Sequence, residues 1–148
     1  MMLKENLLIK KKFKILSIDH VAVATEKSDI LELLFSDILG LHSHNKEYVK
    51  SEKVNVVKIY ADDKNSAIEL LEPVDDTSPI NKFLSNKGSG IHHISLRVDN
   101  IYNAIDYLVE NNIQVIYSPP QKGADNKLIT FIHPNCTSGV LIELCQSA

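Results

Sequence analysis

Cysteine is scarce in this 148-residue chain: Cys136 and Cys145 are the only two, and they make neither a disulfide framework nor a Cys-x-x-Cys pair. The fold must therefore be held by packing, and the chain is long enough to bury a core without cross-links. A reducing, cytoplasmic setting is the matching expectation. No apolar run approaches the roughly 20 residues of a spanning helix, so no such helix and no membrane partner is expected. An excess of positive charge is also missing: the net charge is −3, which gives no global basic field for nucleic acid. Hydrophobic residues make up 44%, too many for a disordered chain. The length suits one compact domain or two tightly packed half-domains.

The first 14 residues are the exception in charge. Lys4, Lys10, Lys11, Lys12 and Lys14 against Glu5 give a local +4. No apolar stretch with a small-residue cleavage site follows, so a secretory signal is not expected. A basic, partly ordered N-terminal extension over residues 1–14 is the reading, with a targeting presequence or a nucleic-acid arm as the alternatives.

From residue 15 onward the chain repeats itself. Ile18-Asp19-His20-Val21-Ala22-Val23 is echoed by His92-His93-Ile94-Ser95-Leu96, with His20 and His93 73 residues apart. Ile68-Glu69-Leu70 is echoed by Ile142-Glu143-Leu144, with the glutamates 74 apart. After the first histidine strand, Ser28 can cap a helix carrying Ile30, Leu34 and Ile38 and ending at Gly40. After the second, Asn100 can cap one carrying Ile101, Ile105, Leu108 and Val109. Strands are expected at 54–60 and 67–71 in the first half, and at 114–117, 127–132 and 140–145 in the second. Each half reads β-α-β-β with room for one more short strand. The modules cover about 15–74 and 90–148. Between them, Ser78 and Pro79 open a linker helix over 78–87.

Alternate side chains of a strand share a face. Ile94, Leu96 and Val98 form one face of the second histidine strand, and His93, Ser95 and Arg97 form the other. The apolar face must pack on helices, so the histidine face looks into a cleft. His20 shares its face with the small residues Ala22 and Ala24. Val140, Ile142 and Leu144 leave Glu143 on the opposite face, and Ile68 and Leu70 flank Glu69 in the same way. A carboxylate among large apolar neighbours is costly to bury unless it is paired or binds a metal. His20, Glu69, His93 and Glu143 thus form a candidate set for one divalent cation, and imidazole with carboxylate suits a borderline ion. His92, His42, His44 and His133 have no symmetric counterpart in this pattern.

At these residues the chain resembles the vicinal-oxygen-chelate (glyoxalase/bleomycin resistance/dioxygenase) superfamily and, within it, the methylmalonyl-CoA epimerase family. The resemblance runs from Ile18 to the end. Its matching stretches are Ile18 to Val23, Ile68-Glu69-Leu70-Leu71-Glu72-Pro73, Ser78-Pro79-Ile80 with Lys82-Phe83-Leu84, Gly90-Ile91-His92-His93-Ile94, Phe131-Ile132-His133-Pro134 and Gly139 to Leu144. It implies an α+β fold of two tandem βαβββ modules that form a cupped mixed sheet around a metal cleft. It also implies a homodimer, an acyl-CoA thioester substrate, and a divalent metal such as cobalt, with zinc, nickel, manganese or magnesium as the other candidates.

The implied reaction is epimerisation by loss and return of the proton on the α-carbon. Glu143 is the candidate for one catalytic role, and Glu47, Glu52 or a water for the other. The enzymatic alternative is a glyoxalase I-type lactoylglutathione lyase, and the non-enzymatic one is a metal-free small-molecule binding protein. The chain departs from the family in the loop Gly123-Ala124-Asp125-Asn126-Lys127, which carries Asp-Asn, and at Asn135 in place of a lysine. A hairpin glutamate that serves as a base in some members falls between Val56 and Lys58, where there is no acid.

Overall fold

The computed structural model describes residues 10–148. Residues 1–9, including Lys4 and Glu5 of the basic extension, lie outside the described residues. The first half runs β1 (Ile15–Ala24), α1 (Asp29–Glu32) continuing as a π-helical turn over Leu33–Ile38, β2 (His42–Ser43), β3 (Glu47–Val49), β4 (Val54–Tyr60) and β5 (Ala67–Pro73). After α2 (Ile80–Lys87), the second half runs β6 (Gly90–Val98), α3 (Ile101–Glu110), β7 (Gln121–Lys122), β8 (Leu128–Ile132) and β9 (Ile142–Gln146).

All the strands join one sheet in the order β2-β4-β5-β1-β6-β9-β8-β7, with β3 also on β4. The two histidine strands β1 and β6 pair antiparallel at the centre. Each has the glutamate strand of its own half beside it in parallel: β5 on β1, and β9 on β6. The sheet is mixed and curls into a half-barrel around a concave cleft. The sequence repeat is thus a spatial repeat, and its axis runs between β1 and β6.

Outside the sheet, α3 packs Ile101, Ala104 and Ile105 onto Val98 and Leu144. Asn100 caps this helix by accepting from the Asn103 N–H at 3.0 Å. Phe13 joins the same cluster and meets Tyr107 edge-on. In the first half, Leu31 and Phe35 pack on Val57, Ile59 and Leu70. Truncating the fully buried Ile101 to alanine is expected to cost ~2–5 kcal/mol, read as a lower urea midpoint at unchanged slope. An unchanged midpoint would show that α3 does not carry this core.

Several expectations about the core and its boundaries are corrected. Ile30, Leu34 and Ile38 do not face the sheet; all three are exposed, Ile30 at 78%. The inward stripe is Leu31 and Phe35 instead. The helix start explains the rotation: Ser28 N–H donates to Glu72 at 2.8 Å and Ser28 Oγ donates to Glu32, which draws the Glu32 side inward. Ser28 therefore tethers the helix to β5 and makes no side-chain cap. Ile94 and Val140 are exposed as well, while Val98 and Leu144 are buried as expected. Residues 114–117 form no strand, and only Val115 makes a single bridge to Ile132. Ser78 does not cap α2: its hydroxyl is buried without a hydrogen-bond partner among the described residues, and the helix begins after Pro79.

Candidate metal centre

The sheet register brings the four candidate residues together. Glu69 lies opposite Ala22, two residues beyond His20, and Glu143 lies opposite Ser95, two residues beyond His93. The small residues Ala22 and Ser95 leave room for the carboxylates to turn inward. His20, Glu69, His93 and Glu143 are all buried, at 4–6% exposure.

His20 Nε2 lies 3.1 Å from His93 Nε2 and 3.1 Å from Glu69 Oε2. Glu143 stands slightly apart, with one oxygen 3.6 Å from His20 Nε2 and the other 3.6 Å from His93 Nε2. Donor atoms of His20, Glu69 and His93 all lie within 4.8 Å of one another. Four donors about 2.1 Å from one ion are separated by about 3.0–3.4 Å, so the observed spacing fits a shared cation. The chemistry fits as well, because two carboxylates and two neutral imidazoles balance a divalent charge. The structure thus forms a buried His-Glu-His triad suited to a divalent metal, with Glu143 beside it.

Two β-bulges give each histidine a partner. The β1–β6 register slips between Ile18 and His20, and again between Ala22 and Val23. The first slip makes Asp19 the extra residue on β1, and the second makes His92 the extra residue on β6. Each is thereby turned toward the histidine that follows it. Asp19 accepts from His20 Nδ1 at 2.8 Å, and His92 Nδ1 lies 2.9 Å from His93 Nδ1. His92 therefore does have a symmetric counterpart, Asp19, each being the bulged residue before a candidate ligand histidine.

With Nδ1 donating to Asp19, His20 offers the Nε2 lone pair to the site. Arg97 Nε and Lys127 Nζ donate to Asp19 at 2.8 and 3.0 Å.

The electrostatics differ between the halves. Burial alone would push the Asp19 carboxyl up, but the bonds from His20, Lys127 and Arg97 hold it well below the usual range. Burial disfavours a charged His20, but Asp19 and the nearby Glu69 and Glu143 carboxylates outweigh it and raise its pKa. His93 moves well below its ordinary value, through burial and then the neighbouring His20 and His92. It is held as the neutral imidazole that a metal requires. Burial pushes Glu143 up to about 7, against the opposing influence of His20 and of the Ser95 hydroxyl, which donates to it at 2.7 Å.

A cavity of about 220 Å³ opens over this cluster. Glu69, His92, His93 and Glu143 lie on its wall, with apolar cover from Val54, Val56, Leu71, Ile80, Ile129 and Phe131. Of the two acids considered for the second catalytic role, Glu52 lines the cavity and accepts from the Tyr117 hydroxyl at 2.9 Å. Glu47 is absent from its wall and accepts from the backbone N–H of Asp125. The hairpin stretch from Val56 to Lys58 carries no acid, and Val56 is an apolar part of the wall. His42 pairs with Asp62 at the surface, away from the cluster.

Asp19, Lys58, Tyr117 and Lys127 are polar residues of this neighbourhood that the sequence pattern left without a role. Lys58 had a signal: in Val54-Asn55-Val56-Val57-Lys58 it is in phase with the apolar cleft face, where a charge is out of place.

Comparison with known proteins agrees with this geometry. The family model of the glyoxalase/bleomycin resistance protein/dioxygenase superfamily matches residues 19–131. The chain is 38% identical over 128 residues to a mitochondrial methylmalonyl-CoA epimerase of Dictyostelium discoideum, covering 86% of this chain and 76% of that one. It is 35% identical over 129 residues to the uncharacterised protein YqjC of Bacillus subtilis, covering 87% and 91%. Among solved structures it superposes on a Streptomyces coelicolor methylmalonyl-CoA epimerase variant in complex with 2-nitronate-propionyl-CoA, with a TM-score of 0.83 at 27% identity, covering 91% and 99%. The paired modules, the buried histidine and glutamate donors and the match over most of the chain lead to one conclusion: this chain belongs to the glyoxalase/bleomycin resistance protein/dioxygenase superfamily, and its named relatives include methylmalonyl-CoA epimerases.

Proposed function

We propose that the protein epimerises methylmalonyl-CoA by removing the proton of the α-carbon from one face and returning it to the other. The observation that carries this reading is the position of Glu143. Its carboxyl is buried beside the His-Glu-His triad, on the wall of a small cavity, with one oxygen held by Ser95 and 3.6 Å from the His20 nitrogen and the other 3.6 Å from the His93 nitrogen. Relatives named for this reaction and a neighbour that binds an acyl-CoA analogue supply the substrate class.

His20, Glu69, His93 and Glu143 would hold the divalent ion. Bound there, it would supply positive charge to stabilise the enolate that forms when the α-proton leaves. Glu143 takes that proton on one side. Glu52 is our candidate for the other side, because it lines another part of the same wall and accepts from the Tyr117 hydroxyl. The cavity is smaller than the roughly 300–1,000 Å³ of a drug-sized site, which suits a short acyl head with the rest of the thioester outside.

The direct test is solvent-deuterium uptake at the α-carbon of methylmalonyl-CoA, with metal-loaded and chelated protein. Exchange by the loaded protein and loss on chelation are expected. A loaded protein that leaves methylmalonyl-CoA untouched but converts a glutathione hemithioacetal would favour a lactoylglutathione lyase. A protein inert to both substrates that takes up no metal would be a binding protein of the same fold.

A further inference from the structure

Lys58 is buried on the cleft side of the sheet, yet it does not belong to the wall of the acyl cavity. Its position follows from strand register. In the antiparallel pair β4–β5, Lys58 lies directly opposite Glu69, and facing residues of such a pair point to the same side. The ammonium nitrogen lies 3.2 Å from Glu69 Oε1. The other oxygen of the same carboxylate, Oε2, is the one that faces His20 Nε2 at 3.1 Å. The two oxygens of Glu69 are thus committed to different partners.

Lys58 is itself fixed from the second module, where Asp125 pairs with its ammonium group. The loop carrying Asp125 is held in turn, because both Glu47 oxygens accept the Asp125 N–H at 3.1 Å. Asp125 also offsets the lysine's charge. The effect of Lys58 on the site is therefore directional: it claims one lone-pair-bearing oxygen of a metal-facing carboxylate and leaves the other free.

We propose that Lys58 is a positioning residue that makes Glu69 a one-oxygen metal ligand and so keeps a coordination position open for substrate. The inference rests on the metal reading of the His-Glu-His cluster and adds a residue that none of the four candidate ligands accounts for. Its consequence is a change in coordination when the lysine is lost. Without the ammonium group, Glu69 Oε1 is free to turn toward the ion, and the carboxylate binds through both oxygens.

Cobalt(II) reports this directly, because its visible bands depend on the donors around the ion and their geometry. The protein is titrated with cobalt to saturation, and spectra are compared at full occupancy so that affinity does not enter. K58M is expected to shift or weaken the visible bands of the saturated protein, and K58R, which keeps a cation on Oε1, to retain the wild-type spectrum. A saturated K58M spectrum that superposes on the wild type overturns the proposal. Should K58M fail to fold because Asp125 is left without its cation, K58M/D125N serves in its place, since it removes the ammonium group from Glu69 and the unpaired carboxylate together. A saturated K58M/D125N spectrum identical to the wild type then overturns it. Wild-type protein that takes up no cobalt overturns the metal reading itself and this assignment with it.

Discussion

Glu143→Gln is expected to lower α-proton exchange ~10²–10⁴-fold even when the variant is fully metallated, because a neutral amide cannot take a proton. The substitution also weakens one donor to the ion, so two losses must be separated. Excess metal restores the part that comes from occupancy and leaves the part that comes from the missing base. The structure gives the reason to expect the second part. Glu143 stands 3.6 Å from each histidine nitrogen, outside the compact triad, and Ser95 holds one of its oxygens at 2.7 Å. That placement leaves an oxygen able to work as a base while the other three donors keep the ion. A fully metallated variant that exchanges at close to the wild-type rate would reduce Glu143 to a ligand.

His93→Ala should produce the largest loss of metal affinity. Changing a group that merely orients a ligand typically costs ~10–100-fold, and removing the ligand itself costs more. The two bulge residues provide the internal scale. Asp19→Asn should fall within that range, because Asp19 both orients His20 and is anchored by Arg97 and Lys127. His92→Ala should cost least, because His92 meets His93 through one ring nitrogen and carries no counter-charge. Affinity measured by competition with a coloured chelator gives the order. Equal losses for His92→Ala and His93→Ala would mean that either histidine can serve as the donor.

Much of this site can be read from the residues alone, and the reason is periodicity. A strand alternates faces every residue, so Ile-Glu-Leu and His-x-Ser state which side chain turns away from the apolar core. Duplication then supplies long-range information that a single sequence usually lacks. Two histidines and two glutamates at nearly the same spacing must occupy equivalent places in two copies of one module, and pairing the copies brings them to a common axis. The helices were legible as elements for the same reason, but the rotation of the first was not. Ile30, Leu34 and Ile38 share a helical spacing with Leu31 and Phe35, so periodicity cannot choose between the two stripes. The choice came from Ser28 bonding to Glu72 and Glu32, and Glu72 lies 44 residues away.

What the sequence determined by itself was the pairing of histidine strands with glutamate strands and the four residues, His20, Glu69, His93 and Glu143, that the fold gathers in one buried cluster. What only the tertiary structure decided was everything that depends on register between strands. A bulge shifts one residue against its partner strand and leaves no mark on local composition, so Asp19 and His92 became histidine partners only once β1 and β6 were paired. Lys58 could be seen as a misplaced charge, but not as the neighbour of Glu69 until β4 lay beside β5. Asp125 reached it only because the sheet curls and carries a loop of the second module over a strand of the first. Such contacts are set by hydrogen bonding and packing between segments far apart in the chain, and periodicity within a segment carries no information about them.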